Sequence, residues 1–361
     1  MKFVNILTEG TVSYNGRAFL QPILLNKNQI KDYSIKVTIH KNISPAITDC
    51  DLLIIDSKFF RAWWLTKKQQ MLEIISKFNE STNVVFFDTT DSAGYILGET
   101  LPFVKSYYKH QILSKKEDYL YPMYGRRAYS DYYHKNNNIV DSDNVEDNFA
   151  QVSNKDYLKK IKVSWNTGLA NYSFLGEYLG RLYSKCPIKG VLRFPAKYSP
   201  PQDRRLIDVQ CRFNTSYEKN SVSYQRKLIA SILKDKLQTN KLNRYNFYKE
   251  LRQSKVVMSP FGLGEITLKD FEVFITGGIL MKPDMSHLET WPNFYNKETY
   301  IPFKWDLTDI AEKLESVLDN YPQNIELAIN AQNLYRHHVS SSKGHDEFSI
   351  RFHNIVSEET N

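Results

Sequence analysis

The chain has 361 residues, with 48 Lys and Arg against 40 Asp and Glu and a formal net charge of +8 at pH 7; that length is beyond what one hydrophobic core usually sustains, so two domains are expected. No apolar run is long enough to cross a bilayer, and MKFVNILTEG reads as a first strand and not as a signal peptide, which argues for a cytoplasmic protein. Cys50, Cys186 and Cys211 are isolated and form no C-x-x-C pair, which excludes a disulfide framework and a cysteine zinc site.

In chain order, Phe3 to Leu7 predicts the first strand, and the segment TEGTVSYNGRAF after it reads as a loop with a turn at Asn15-Gly16-Arg17. Ile35 to Ile39 alternates as a strand, and Leu52 to Ile55 and Val84 to Phe87 are continuous apolar strands. Lys67 to Phe78 has helical spacing between them, so a parallel sheet with crossover helices is expected. Asp88 and Asp91 follow their strand at its carboxyl end, where such sheets hold ligand-handling groups, so either is a candidate catalytic base or acceptor contact. An Asx-turn and a helix cap explain the same two residues without function.

Tyr107 to Tyr133 mixes aromatic and basic residues and reads either as a surface for sugars and phosphates or as a solvated face. Residues 136–148 read as a polar loop, Trp165 to Leu169 precedes a helix reaching Tyr183, and Pro187 to Gly190 reads as the linker between domains. Two D-x-D pairs, Asp49/Asp51 and Asp141/Asp143, look like metal ligands. The first precedes its strand and the second has no strand before it, so no metal site is expected.

The second half opens with strand-like Val191 to Phe194, then a strand from Ile207 to Phe213 whose end carries Arg212, Asn214 and Ser216. Helices are predicted over Ser223 to Leu237 and Tyr245 to Arg252. The stretch from Lys255 to Pro292 is the most informative. Val256 to Met258 is a buried strand running into Ser259-Pro260 and a loop with Gly262 and Gly264; Thr267 caps a short helix that stops at Gly277-Gly278 before strand Ile279 to Met281. A strand, glycine loop and helix in this order present backbone N–H groups and the positive end of a helix dipole, which favours a phosphate. Lys269 in the first turn could reach that anion, and Glu272 a turn on could accept hydrogen bonds from both hydroxyls of a ribose; a plain i,i+3 surface pair is the simpler reading. Asp284, Ser286 and His287 follow the next strand at its carboxyl end. Tyr300 to Phe303 reads as a last strand, with helices over Leu307 to Leu318, Ile325 to Leu334 and Phe348 to Val356.

The pattern S-P-F-G-x-G-E followed by Glu272, with Gly277-Gly278 before an apolar strand, resembles the donor-binding segment of GT-B glycosyltransferases, in particular bacterial polysaccharide enzymes and the exostosin-like group. The resemblance covers roughly Asp208 to Pro292. It implies an α/β fold of two Rossmann-like domains facing a cleft: residues 1–186 on the acceptor side, 187–340 binding a nucleotide sugar, and a helix over 341–361 crossing back to the first domain. It implies that Glu272 grips the ribose, and that Lys269, Arg212 with Arg226 behind it, and the loop of Ser259, Gly262, Gly264, Glu265 and Thr267 hold the diphosphate. Asp284 would line the sugar or base, and Asn15, Gly16 and Arg17 would lie at the cleft floor near donor or acceptor. Six residues separate Glu265 from Glu272, one fewer than in the commonest retaining pattern, which leaves the stereochemical outcome open.

The implied enzyme works without a metal or other cofactor and moves a sugar to a glycan or lipid-linked acceptor in bacterial surface polysaccharide synthesis. Of the partners that a basic chain invites, the anionic inner membrane surface fits this better than nucleic acid, because the cations are scattered and no helix-turn-helix, zinc-finger or RNA-sheet signature appears. A phage-type DNA glucosyltransferase and a non-catalytic sugar-binding protein on the same fold are the alternatives.

Overall fold

The computed structural model describes all residues except 143–148, 189 and 239. Asp143 of the second D-x-D pair, part of the polar run and one linker position therefore lie outside the described residues.

Beginning at the amino end, β1 (Lys2–Leu7), α1 (Tyr14–Leu25), α2 (Lys27–Asp32), β2 (Ile35–His40) and β3 (Leu52–Asp56) lead into α3 (Arg61–Thr66), α4 (Lys68–Ser81) and β4 (Asn83–Asp88). The chain continues through β5 (Ser106–Lys109), β6 (Gln111–Leu113), β7 (Met123–Tyr124), α5 (Ala128–Asn137), β8 (Phe149–Ala150), β9 (Ile161–Val163) and α6 (Gly176–Lys185). Six of these strands form one parallel sheet in the order β2-β1-β3-β4-β5-β9. Every residue of β3 is buried, as continuous apolar runs require when helices cover both sheet faces.

In the second half β10 (Ile207–Gln210), α7 (Asn220–Ile232), α8 (Arg244–Gln253), β11 (Ser254–Met258), α9 (Leu268–Thr276), β12 (Ile279–Pro283), β13 (Leu288–Thr290) and β14 (Ile301–Phe303) precede α10 (Ile310–Asp319), α11 (Tyr321–Ser340) and α12 (Ser342–Thr360). The parallel order β10-β11-β12-β14 makes a second sheet. Two parallel α/β sheets in succession match the architecture expected from the sequence. Gly277 ends α9 at φ +72°, a left-handed conformation that only glycine adopts without strain.

The halves are closely joined. Antiparallel β6 and β13 pair across them. The Trp165 ring stacks on Phe19 at 5.5 Å and meets Phe348 of α12 edge-on at 5.3 Å, while Tyr172 stacks on Phe271 of α9 at 4.9 Å. The last helix crosses onto α2, β3 and β4, where Glu359 accepts from the Tyr108 hydroxyl at 2.7 Å and pairs with Lys162 at 2.6 Å.

Several local expectations differ. Asn15, Gly16 and Arg17 lie in the first turn of α1, not in a loop, because Ser13 caps that helix by accepting from the Gly16 N–H. Val191 to Phe194 forms no strand. Tyr107, Tyr108, Tyr129 and Tyr133 are core residues and not an acceptor surface, since β5 is an inner strand of its sheet and α5 packs against α7.

Candidate functional site

The amino end of α9 is built as the sequence predicts. Thr267 and Asp270 form a reciprocal capping box, and Asp270 is further held by Ser259 Oγ at 2.6 Å, Tyr295 Oη at 2.9 Å and the fully enclosed Lys282 at 3.2 Å. Ser259 and Thr267 therefore spend their hydroxyls on positioning the helix. Among the described residues the amides of Leu268 and Lys269 find no acceptor, so they remain the open donors of this helix end.

Two cations converge beside it. Lys269 donates to the Arg212 carbonyl and, more weakly, to the Gln210 side chain and the Met258 carbonyl. Arg226 on α7 donates to the Phe261 carbonyl at 2.6 Å and the Asn214 carbonyl at 2.9 Å, with its guanidinium over the Tyr217 ring at 4.8 Å. Neither makes an ion pair with a carboxylate among the described residues. Burial, with Arg226 adding repulsion, pushes the Lys269 ammonium down to about 8 against the pull of Glu272, and burial lowers Arg226 too. A half-buried Lys269 and a buried Arg226, served by neutral oxygens at an open helix end, form a site with local positive charge that an anion would relieve.

Glu272 points into the junction of the halves. Its carboxylate accepts from Tyr248 Oη at 3.1 Å and lies 3.7 Å from Arg244. Arg244 also reaches Glu177 of α6 at 3.4 Å, and Glu177 accepts from Tyr14 of α1. Burial pushes the Glu272 carboxyl up to about 7, partly countered by Arg244, Tyr248 and Lys269.

Opposite stands Asp91, exposed at the carboxyl edge of the first sheet and held by Asn15 Nδ2 at 2.8 Å. Gly264 rests directly on it: a Cβ there would lie 2.1 Å from the Asp91 carbonyl oxygen, so this close approach, not a special φ, is what glycine serves. Glu265 then crosses between the halves, accepting from Ser92 Oγ at 2.9 Å, the Ala93 N–H at 3.0 Å and Gln111 Nε2 at 3.0 Å. It is a latch with its lone pairs in use.

Other expected site residues are placed elsewhere or otherwise engaged. Asp88 and Lys109 form an ion pair of 2.7 Å with both side chains 0% exposed, and Tyr107 Oη and the Thr90 N–H donate to the same carboxylate. Burial raises the Asp88 carboxyl, but Lys109 and these donors hold it below the usual range overall; enclosed and held by three donors, it is an anchor out of reach of a substrate proton. Arg212 turns to α8, bidentate to Glu250 at 3.0 and 2.9 Å. Arg17 is buried between α1 and α6, stacked over Tyr14 and donating to the Glu177 carbonyl; Gly16 packs against the Gly10 carbonyl. Asp284 closes its own turn with Ser286 and accepts Trp305 Nε1 on its carbonyl. Gly262 lines the loop, with Arg226 Nη2 at 3.6 Å from where a Cβ would stand. Behind Asp284, the His287 ring lies edge-on to Phe261 and Trp305, and among the described residues neither of its nitrogens has a hydrogen-bond partner.

Two cavities lie along the junction. One of about 700 Å³ lies at the carboxyl end of α9, lined by Phe194, Tyr198 and Tyr248. The other, of about 710 Å³, opens at the carboxyl ends of β3 and β4, with Asp91 and Leu263 in its wall. Sequence reading passed over its α3 side, although Trp63-Trp64-Leu65 flanked by Arg61, Lys67 and Lys68 is a visible signal. Metal-ligand types gather, among the described residues, at His337, His338 and Glu347, at the corner of α11 and α12.

No protein-family model matches the sequence, and no curated protein matches it. Solved structures similar along the whole chain include an alpha-glucosyltransferase in complex with UDP, at 12% identity and a TM-score of 0.42, covering 99% of this chain and 100% of that one. A T4 phage beta-glucosyltransferase has 12% identity and a TM-score of 0.43 with 99% of both chains covered. A glycosyltransferase from Rickettsia africae has 9% identity and a TM-score of 0.43, covering 99% of this chain and 98% of that one.

Proposed function

We propose that the protein is a glycosyltransferase that takes its sugar from a nucleoside diphosphate sugar and passes it to a glycan or lipid-linked acceptor of bacterial surface polysaccharide. The observation that carries this is the pair Lys269 and Arg226, half-buried and buried at the amino end of α9 on neutral oxygens. A diphosphate supplies the charge that this site lacks. Glu272, one turn further along α9, is placed to accept the ribose hydroxyls once Tyr248 and Arg244 release it.

In the transfer, the acceptor oxygen bonds to the anomeric carbon while the bond from that carbon to the diphosphate breaks, and the electron pair leaves with the phosphate. The Leu268 and Lys269 amides, the Lys269 ammonium and the Arg226 guanidinium stabilise that charge, so this reading gives no metal a role. The acceptor's proton goes to Asp91, which Asn15 orients. A panel of nucleotide sugars tested for thermal stabilisation examines this directly, because a ligand that binds only the native state raises its melting point. One or more should stabilise the wild type and none should stabilise Glu272→Ala. Equal stabilisation of both would refute the donor assignment.

A further inference from the structure

The larger cavity and helix α3 share a wall and a charge. Six lining side chains are cationic, Lys58, Arg61, Lys68, Arg126, Arg127 and Lys219; Asp91 is the single carboxylate among the lining residues, and Lys68 is paired with Glu99 at 3.0 Å. At about 710 Å³ the space suits a small ligand, inside the ~300–1,000 Å³ range of such pockets. Lys219 and Leu263 come from the second half and the other lining residues from the first, so a molecule in the cavity touches both halves and has Asp91 beside it.

None of the six residues of α3 is buried, which is unusual for a segment that reads Arg-Ala-Trp-Trp-Leu-Thr. Leu65 is 87% exposed while also lining the cavity mouth. Lys67 covers the Trp63 ring at 5.4 Å and Lys68 covers the Trp64 ring at 5.7 Å. An exposed aliphatic tip beside tryptophans, with lysines laid along it, is the composition of a water–lipid interface. The rings are already capped by ammonium groups and the most exposed apolar group is aliphatic, so the surface offers acyl chains more than it offers bases to stack.

We propose that α3 docks on an anionic lipid surface and that the cavity beside it receives the phosphate-bearing head of a lipid-linked acceptor, delivering its hydroxyl to Asp91. The acceptor role rests on the transferase reading above; the docking does not. The test is co-sedimentation of the full chain, without donor, with vesicles of phosphatidylcholine alone and of equimolar phosphatidylcholine and phosphatidylglycerol. Wild type should bind the anionic vesicles at least tenfold more tightly. Lys58→Ala with Arg61→Ala should weaken that binding by about fivefold for each cation removed and leave the neutral vesicles unaffected, while Leu65→Glu should weaken binding about tenfold; unchanged melting points would show that both variants fold. Equal partition of the wild type to both vesicles, or indifference to all three substitutions, overturns the docking. Displacement from the vesicles by a single-stranded oligonucleotide that binds more tightly at the same salt overturns the choice of lipid over nucleic acid. Vesicle binding without stabilisation by any nucleotide sugar sinks the transferase and leaves the docking; the reverse pattern does the opposite.

Discussion

Lys269→Met separates a cation kept for folding from one kept for an anion. The fold holds this ammonium at about 8 in place of 10.5; at about 1.4 kcal/mol for each unit, keeping it charged near neutral pH costs roughly 3 kcal/mol. The residue keeps some surface and its hydrogen bond to the Arg212 carbonyl is lost on substitution, which together remove about half of that figure. Methionine preserves the apolar stem, so the ligand-free variant should be more stable than wild type at pH 7 by about 1–2 kcal/mol.

The sign has its own check. Between about 8 and 10.5 the unfolded chain holds a proton that the folded chain has released, so wild-type stability should rise with pH across that window. The variant should lack the rise. Circular dichroism melts at pH 7 and pH 9.5 measure both effects, and titration with the nucleotide sugar that best stabilises the wild type should show affinity about 10–100-fold weaker in the variant, the worth of one charge-assisted hydrogen bond to phosphate. A variant destabilised by more than about 2 kcal/mol at both pH values, with donor affinity intact, would show that Lys269 is structural and would remove the main support for the donor site.

The other predictions concern the same junction. Donor kcat/KM should rise as Glu272 ionises through about 7 and fall as Lys269 deprotonates through about 8; a profile flat from pH 5.5 to 9.5 contradicts the pair. Asp88→Asn leaves Lys109 charged and enclosed, and should cost about 3–5 kcal/mol in urea unfolding, whereas Asp91→Asn should change stability by less than about 0.5 kcal/mol and lower turnover about 10²–10⁴-fold; the opposite ordering would exchange their roles. Arg212→Ala should weaken folding by about 1 kcal/mol through Glu250 without altering donor affinity, and Arg226→Ala should abolish saturable donor binding. Gly264→Ala places a methyl 2.1 Å from the Asp91 carbonyl oxygen and should lower the melting point, since over-packing costs about 1–3 kcal/mol; an unchanged melting point would mean that the loop rests elsewhere in solution.

How much of this was legible followed from the range of the interactions involved. Strands β11 and β12, the cap at Thr267 and the stop at Gly277 are set by neighbours within a few residues, and the sequence patterns placed them well. Gly264 was visible as a loop glycine, but its reason is an approach to Asp91 far away in the chain. Asp88 and Asp91 read alike because both follow one strand; only the structure brings Lys109 against the first and Asn15 against the second. Arg212 and Arg226 were separable by the same kind of fact, the position of Glu250 on α8. The aromatic run from Tyr107 was misread because composition cannot tell an inner strand from a wet face.

The closed junction constrains how a donor could enter. The β6–β13 ladder, the aromatic packing of Trp165 with α12 and of Tyr172 with α9, and the Glu265 latch all cross between the halves. A rigid-body swing would break these together, exposing apolar surface and the carboxylate of Glu265 at once. Gly264 in contact with Asp91 also leaves no room for a diphosphate between them. The loop from Pro260 to Ile266 is anchored too: Tyr129 Oη donates to the Gly262 carbonyl at 2.6 Å, Arg127 to the Leu263 carbonyl at 2.8 Å and Arg226 to the Phe261 carbonyl at 2.6 Å, while the capping box holds α9 beneath it. On the transferase reading, moving this loop still breaks fewer contacts between the halves than swinging one sheet against the other, and the Glu265 latch is among those it has to release.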